Sequence, residues 1–183
     1  MHDAKSRICN LLLETKREGM HWLIEYLEQS GFFTAPCSTQ FHLANKGGLA
    51  QHSLNVYETA QALHEKLGSD VPKDSLIIAT LLHDLGKVGQ FGKPEYKPNI
   101  LKNGNLSSAK PYEKNKELLP VEHEVRSVAI ASQFIQLTEE EQFAILMHNG
   151  LYGAFKYGLQ GNETQLYMLV HFADMWCSRV VEK

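Results

Sequence analysis

The hydrophobic positions of this chain recur at three- and four-residue spacing over most of its length, which is typical of amphipathic helices. At the N-terminus the apolar stripe runs past Gly19, so we predict a helix over 3–29 that bends at this glycine. The segment 75–84 is apolar on most sides, and we predict a central buried helix there, with Asp74 as its N-cap. The remaining predicted helices cover 49–67, 121–136, 139–148 and a last segment capped by Asn162. The pattern therefore predicts an all-α helical bundle.

Two stretches depart from the helical pattern. Residues 91–120 hold four of the six prolines and more lysines than glutamates, with a turn signal at Asn103-Gly104 that suits a small hairpin. This inserted basic segment is either a lid over an anionic substrate or a solvated surface loop, and the sequence favours neither. Residues 150–161 are rich in glycine and aromatic side chains, which indicates a mobile loop.

The composition is that of an ordinary soluble globular protein, with 43% hydrophobic and 21% charged residues among 183. No shift in composition divides the chain, so we expect one domain over 1–183, with 1–45 as a helical lead-in. The net charge of -3 gives no general attraction to nucleic acid, and the apolar runs are too short to cross a bilayer. We therefore expect a cytoplasmic protein that binds no membrane.

The nine histidines indicate where the chemistry lies. His83 and Asp84 stand side by side at the end of the central apolar segment. A buried imidazole and carboxylate are costly unless they are hydrogen-bonded to each other or bind a metal, and the dipeptide alone does not decide between these. Lys87 follows three residues after Asp84, where its ammonium would lie near an anion that a metal holds.

Further candidate ligands lie on the other predicted helices. His52 falls on the core side of its helix, whereas His64 lies toward solvent and is not a candidate. His123 opens a helix, and Arg126, three residues later, either orients a phosphate or pairs with a neighbouring glutamate. His148 ends the next helix.

In the last helix Asp174 lies in an apolar setting, where a carboxylate needs a partner. A metal is the natural partner, given the histidines elsewhere. His171, three residues earlier, is expected to support a ligand by a hydrogen bond rather than to bind the ion itself.

Taken in order, His52, the His83-Asp84 pair and Asp174 resemble the signature of the HD-domain superfamily of metal-dependent phosphohydrolases. That signature is a histidine, then a His-Asp pair, then an aspartate, on a bundle of helices, and the resemblance extends over about residues 45–182. It implies that these four residues hold one metal. Members with two metals carry additional histidines in between, so His123 and His148 would hold a second ion that Asp84 bridges to the first.

The resemblance implies an enzyme that hydrolyses a phosphate ester, as a phosphomonoesterase or phosphodiesterase, by attack of a metal-activated hydroxide. Asp84 and Lys87 would be catalytic, and Lys87 and Arg126 would bind the substrate. The nitrogen and oxygen ligands suit one or two ions of Mn, Fe, Co, Ni or Zn, with Mg as a further option. The expected partner is a small phosphorylated molecule, a nucleotide above all.

Three other functions stay open on the sequence alone. The Gly-Gly-Leu-x-x-His sequence that ends at His52 also resembles bacterial HD-domain exoribonucleases, although the chain leaves no room for their separate nucleic-acid-binding module. Nucleic acid is therefore the weaker candidate. A di-iron oxygenase on a similar bundle uses similar ligands, but Lys87 and the basic segment favour phosphate. The third alternative is a metal-binding module without activity. No residue in the sequence indicates which base a nucleotide substrate would carry, and the sequence does not indicate an oligomeric state.

Overall fold

The computed structural model describes residues 2–182, with side chains for residues 4–182. Within this range the chain forms seven α-helices and one small antiparallel sheet. The helices are α1 (His2–Glu14), α2 (Met20–Gln29), α3 (Gly48–Leu67), α4 (Lys73–Leu82), α5 (His123–Ala131), α6 (Glu139–Met147) and α7 (Gln165–Trp176). The strands are β1 (Tyr96–Pro98) and β2 (Tyr112–Lys114). The fold is therefore all-α with a small inserted hairpin, as predicted, and none of the helices in residues 2–182 has both the length and the apolar character needed to span a membrane.

The helix α4 is the centre of the bundle. Every residue from Ser75 to Leu82 is buried, and the helix packs against α1, α3, α6 and α7. A helix that is apolar on all sides can be surrounded in this way without burying polar groups that lack partners. The prediction of a central helix is confirmed, and its C-terminal end delivers His83 and Asp84 to the middle of the protein.

The N-terminal segment forms two helices, so the prediction of one helix over 3–29 is wrong. The chain leaves α1 after Glu14 and enters α2 at Met20 through Gly19, which has a φ of 83°. A Cβ atom at this glycine would lie 1.9 Å from the carbonyl oxygen of Phe134, so the backbones approach too closely for any other residue. The break turns Arg17 back toward α4 and α6, where it binds two carboxylates.

Several helix ends differ from the predicted ones because side chains find distant partners. Asp74 does not cap α4: the N-cap is Pro72, and the Asp74 carboxylate instead accepts a hydrogen bond from Arg17. The last helix is capped by Thr164, whose hydroxyl accepts from the backbone of Tyr167, and not by Asn162. Helix α5 spans only His123–Ala131, shorter than the predicted 121–136. Helix α6 begins at Glu139 as predicted, with Thr138 as its N-cap.

The inserted segment 91–120 contains the hairpin. Strand β1 pairs with β2. Beyond the strands the chain forms a turn, in which the amide of Gly104 donates to the carbonyl of Leu101. The Asn103-Gly104 turn signal is thus confirmed. The hairpin is attached to the bundle, since the amide of Tyr112 donates to the carbonyl of Thr39 at 3.1 Å. Whether the segment acts as a lid stays a prediction.

Candidate metal centre

Asp84 lies where α4 gives way to a 3-10 turn over Leu85–Val88, and its side chain is 1% exposed. This turn packs against the first turn of α5 because Gly86 has no side chain. A Cβ atom there would lie 2.1 Å from the carbonyl oxygen of His123, and the amide of Gly86 donates to Ser127 Oγ at 2.8 Å. The close approach brings Asp84 beside His123.

One oxygen of Asp84 faces a first group of donor atoms. His52 Nε2 lies 3.5 Å and His83 Nε2 lies 3.4 Å from Asp84 Oδ2. The two ring nitrogens are 3.3 Å apart, and Asp174 Oδ1 lies 3.1 Å from His52 Nε2. These side chains come from α3, the end of α4, and α7. We call His52, His83 and Asp174 the first ligand set.

The other oxygen of Asp84 faces a second group, His123 and His148, which we call the second ligand set. Their Nε2 atoms lie 3.1 Å and 3.5 Å from Asp84 Oδ1 and 3.4 Å from each other. Despite these short distances, Asp84 Oδ1 is buried without a hydrogen-bond partner among residues 4–182. Asp84 therefore stands between two sets of donor atoms, with one oxygen toward each.

Three of the four imidazoles are oriented by a hydrogen bond at the outer nitrogen, and the fourth, His123, by contact with a carboxylate. Two rings use a carbonyl of their own helix: His83 Nδ1 lies 2.7 Å from the Thr80 oxygen, and His148 Nδ1 lies 2.7 Å from the Ile145 oxygen. Because a carbonyl only accepts, Nδ1 carries the proton in both rings. In the neutral ring the Nε2 lone pair then points toward Asp84, as a metal ligand requires.

The other two rings lie against buried carboxylates. His52 is hydrogen-bonded to its carboxylate, whereas His123 makes an ion-pair contact that does not meet hydrogen-bond geometry. His52 Nδ1 lies 2.8 Å from Glu182 Oε2, and His123 Nδ1 lies 3.3 Å from Glu124 Oε2. Each ligand set thus contains one histidine anchored by a carboxylate and one anchored by a backbone carbonyl. Pairs of this kind, in which a carboxylate holds the far nitrogen of a histidine, are common behind metal ligands.

The donor set fits divalent ions. Ligand atoms that share one ion at about 2.1 Å lie about 3.0–3.4 Å from one another. The nitrogen and oxygen atoms of both sets are separated by distances close to this, and they are buried with lone pairs that face each other. Imidazole and carboxylate together suit Mn, Fe, Co, Ni and Zn.

The charges at the centre hold its acids ionised. Burial alone would raise the pKa of Asp84, but the Lys87 ammonium and the surrounding histidines keep it well below its ordinary value. Burial lowers the pKa of His83, which favours the neutral ring that binds metal. For His52 burial also acts to lower the pKa, but acidic neighbours, including Asp174 and Glu182, outweigh it and raise the pKa.

Lys87 is in contact with the centre. Its Nζ atom lies 2.6 Å from Asp84 Oδ2 and 3.8 Å from the thiol sulfur of Cys37, and its side chain is largely buried. Burial acts to lower the pKa of Lys87, but the Asp84 carboxylate outweighs it and raises the pKa well above the ordinary value. The lysine therefore carries a fixed positive charge at the edge of the centre.

Arg126 is not brought into the centre. Its guanidinium is buried, with Nη1 2.5 Å from Glu95 Oε2 and Nη2 2.5 Å from the Leu119 oxygen. Both partners belong to the inserted segment 91–120, so Arg126 fastens that segment to α5. The sequence left two roles open for Arg126, phosphate binding or pairing with a glutamate. The structure shows the pairing, and the glutamate is distant in sequence rather than a neighbour.

Sequence reasoning missed two carboxylates at the centre. Glu124 adjoins His123, so its position in the chain was a usable signal, and its other oxygen accepts from Asn149 Nδ2 at 2.6 Å. Glu182 lies beyond a π-helical turn, where helical spacing no longer indicates which face a residue occupies. His171 occupies the expected supporting position, since its Nδ1 donates to the backbone oxygen of His148 at 2.7 Å.

A comparison with known protein families agrees with this geometry. The family model for the HD domain matches residues 49–174, a range that begins just before His52 and ends at Asp174. The chain therefore belongs to the HD-domain family. Members of this superfamily are mostly hydrolases, and HD domains bind divalent metals. A search of the solved structures finds no match.

Proposed function

We propose that this protein is a phosphohydrolase that uses two divalent metal ions and acts on a small phosphate ester, with nucleotides as the leading substrate class. The observation that carries the proposal is the placement of Asp84, whose two oxygens face two separate sets of histidine nitrogens. A carboxylate in this position can bridge two ions. The first ion would lie in the first ligand set with Asp84 Oδ2, and the second in the second ligand set with Asp84 Oδ1.

Bound at this centre, the ions would supply Lewis acidity toward phosphoryl oxygens and would acidify water. The protein's own contribution is to hold the ligands rigidly and to place a positive charge beside them. Lys87 is already paired with Asp84 and has further N–H donors, so it can stabilise negative charge on a phosphoryl group. Burial of Asp84 and His83 limits access of bulk water, which strengthens these interactions.

Substrate reaches this centre from the side of the less buried ligands. The side chains of His123 and Asp174 are 22% and 16% exposed, whereas those of His52 and His83 are not exposed. A phosphate group that enters at this side would meet both ligand sets. In this proposal Arg126 does not touch the substrate, because its guanidinium is taken up by Glu95 and the Leu119 carbonyl.

The test is phosphate release by metal-free protein to which single metals are added back. We expect release from at least one member of a panel of nucleoside monophosphates, cyclic dinucleotides and short RNA oligomers, with Mn²⁺ or another transition ion required. Oxygen consumption by the iron-loaded protein, without phosphate release, would replace the proposal with an oxygenase. Bound metal with neither activity would leave a binding module.

A further inference from the structure

The C-terminal end of the described chain returns to the metal centre through an unusual turn. Helix α7 ends at Trp176, and Cys177–Val181 continue as a π-helical turn in which the amide of Glu182 donates to the carbonyl of Cys177 at 3.0 Å. In a regular α-helix, residue 182 would lie about 80° around the axis from residue 174. The wider π turn brings Glu182 back to the face that carries Asp174.

Both residues consequently reach the same imidazole from opposite sides. Asp174 Oδ1 lies 3.1 Å from His52 Nε2, and Glu182 Oε2 lies 2.8 Å from His52 Nδ1. The second oxygen of Glu182 accepts from Asn55 Nδ2 at 2.8 Å, one turn along α3 from His52. The Glu182 side chain is 2% exposed. Its carboxylate is thus held at both oxygens, and its position relative to the histidine is fixed.

We propose that Glu182 is a positioning residue for the first metal ion, acting through His52. By accepting a hydrogen bond from Nδ1–H, it selects the tautomer whose Nε2 lone pair faces Asp84 and Asp174, and its charge raises the basicity of that nitrogen. The inference rests on the proposed function only in requiring that His52 binds metal. A partner of this kind is worth about 10- to 100-fold in metal affinity.

The charge on Glu182 matters as well as its shape. His83 and His148 are oriented by neutral carbonyls, so orientation alone does not require an acid. Two divalent ions would bring four positive charges into a buried site. The carboxylates of Asp84, Asp174, Glu124 and Glu182 supply one negative charge each. Together they offset most of the positive charge, to which the Lys87 ammonium adds one more. Two of these negative charges lie behind histidines and not in direct reach of an ion. Glu182 supplies one to the first ligand set and Glu124 supplies one to the second.

The experiment is a titration of the metal-free protein with Co²⁺, followed by its visible absorption and by competition with a chelator. For Glu182→Ala we expect Co²⁺ at the first ligand set to bind about 100-fold more weakly. For Glu182→Gln, which keeps an accepting oxygen, we expect a loss of about 10-fold. The d–d bands of the first ion should shift in both variants. Affinity at the second ligand set should change less.

The matched control is Glu58→Gln, on the same helix as His52, where the carboxylate is exposed and paired with Arg7. This variant should bind Co²⁺ like the unmodified protein. First-ion affinity in Glu182→Ala and Glu182→Gln within twofold of the unmodified protein would overturn the inference. So would a loss of thermal stability in the metal-free variants with unchanged Co²⁺ affinity and spectrum, because that would show a purely structural role.

A further variant covers the case in which Glu182→Ala does not fold. Asn55→Ala removes the bond to the second oxygen of Glu182 but leaves its charge in place. We expect a several-fold loss of first-ion affinity, and no loss would contradict the inference. The readout is independent of turnover: an absence of phosphate release from the unmodified protein would reject the proposed function, whereas unchanged Co²⁺ binding by the variants would reject the role of Glu182.

Discussion

Two clusters of charged side chains lie near opposite ends of α4, and they are built differently. At its N-terminal end Arg17 binds Asp74 and Glu141 and forms what we call the Arg17 cluster. Glu141 also accepts from Ser75 Oγ at 2.7 Å and from the amide of Thr138 at 2.9 Å. Each carboxylate there has a donor supplied by the chain, so the cluster is complete as it stands.

At the C-terminal end of α4 the chain supplies more hydrogen-bond acceptors than donors. The Asp84 cluster, which comprises Asp84, Lys87 and the two ligand sets, contains one buried carboxylate oxygen without a hydrogen-bond partner among residues 4–182. Its ring nitrogens face one another at 3.3 Å and 3.4 Å. Burying such groups without compensation is costly. The comparison therefore supports the proposal that the Asp84 cluster binds cations, whereas the Arg17 cluster stabilises the fold.

The largest effect should come from Asp84→Ala. Removing the carboxylate that faces both ligand sets should abolish phosphate release, with a loss of at least about 10³-fold, and should strip the metal. Helical content should stay, because the side chain carries no part of the apolar packing of α4. Steady-state kinetics, metal analysis and circular dichroism measure these three quantities. The control is Asp74→Ala in the other cluster, which should keep its metal; unchanged turnover in Asp84→Ala would refute the assignment.

Arg17→Ala should give the largest loss of stability. It leaves the buried carboxylate of Glu141 without its ionic partner, which should lower the free energy of unfolding by about 3–5 kcal/mol. Denaturant unfolding measures this change, and the metal content of the folded fraction should stay as in the unmodified protein. Arg7→Ala breaks an exposed ion pair with Glu58 and should cost less than about 1 kcal/mol. Equal losses in the two variants would remove the distinction between the clusters.

His123→Ala should separate the two ligand sets. It removes the more exposed histidine of the second set, so we expect metal content to fall from two ions per chain to one, with the first ion retained. Turnover should fall strongly because the remaining ion acts alone. Metal analysis after dialysis gives the stoichiometry. Loss of both ions at once would mean that the sets do not bind independently.

Lys87→Ala should have the smallest effect on metal. The lysine contacts Asp84 but is not a ligand, so both ions should remain while turnover falls by about 10²-fold. Comparing kcat with metal content in the same preparation tests this. A parallel fall of the two quantities would show that Lys87 acts by holding Asp84 rather than by stabilising charge on the substrate.

The structural features that could be predicted from the sequence are those governed by local pattern. The apolar character of 75–84 predicted a central helix. The order of His52, His83-Asp84 and Asp174 resembles the signature of the family that the HD-domain match confirms. Local patterns do not reveal long-range contacts. The break before Gly19 depends on its contact with Phe134, and neither that contact nor the pairing of Arg126 with Glu95 leaves a periodic signal.

Glu182 was missed for a related reason. Its approach to His52 depends on the π-helical turn at Cys177–Val181, which changes the angular spacing of the residues that follow. Counting from Asp174 in steps of an α-helix puts Glu182 on a different face. The candidate ligands were accessible from sequence because each lies at a helix end or on a core-facing surface. Their supporting partners required the three-dimensional arrangement.

The most direct test of the two-metal centre is the anomalous scattering of crystals grown with Mn²⁺. We expect two peaks about 3.5–4 Å apart, with the Asp84 carboxylate between them. One peak should be bounded by His52, His83 and Asp174, and the other by His123 and His148. A single peak, or peaks that do not share Asp84, would contradict the proposal that this carboxylate bridges two ions.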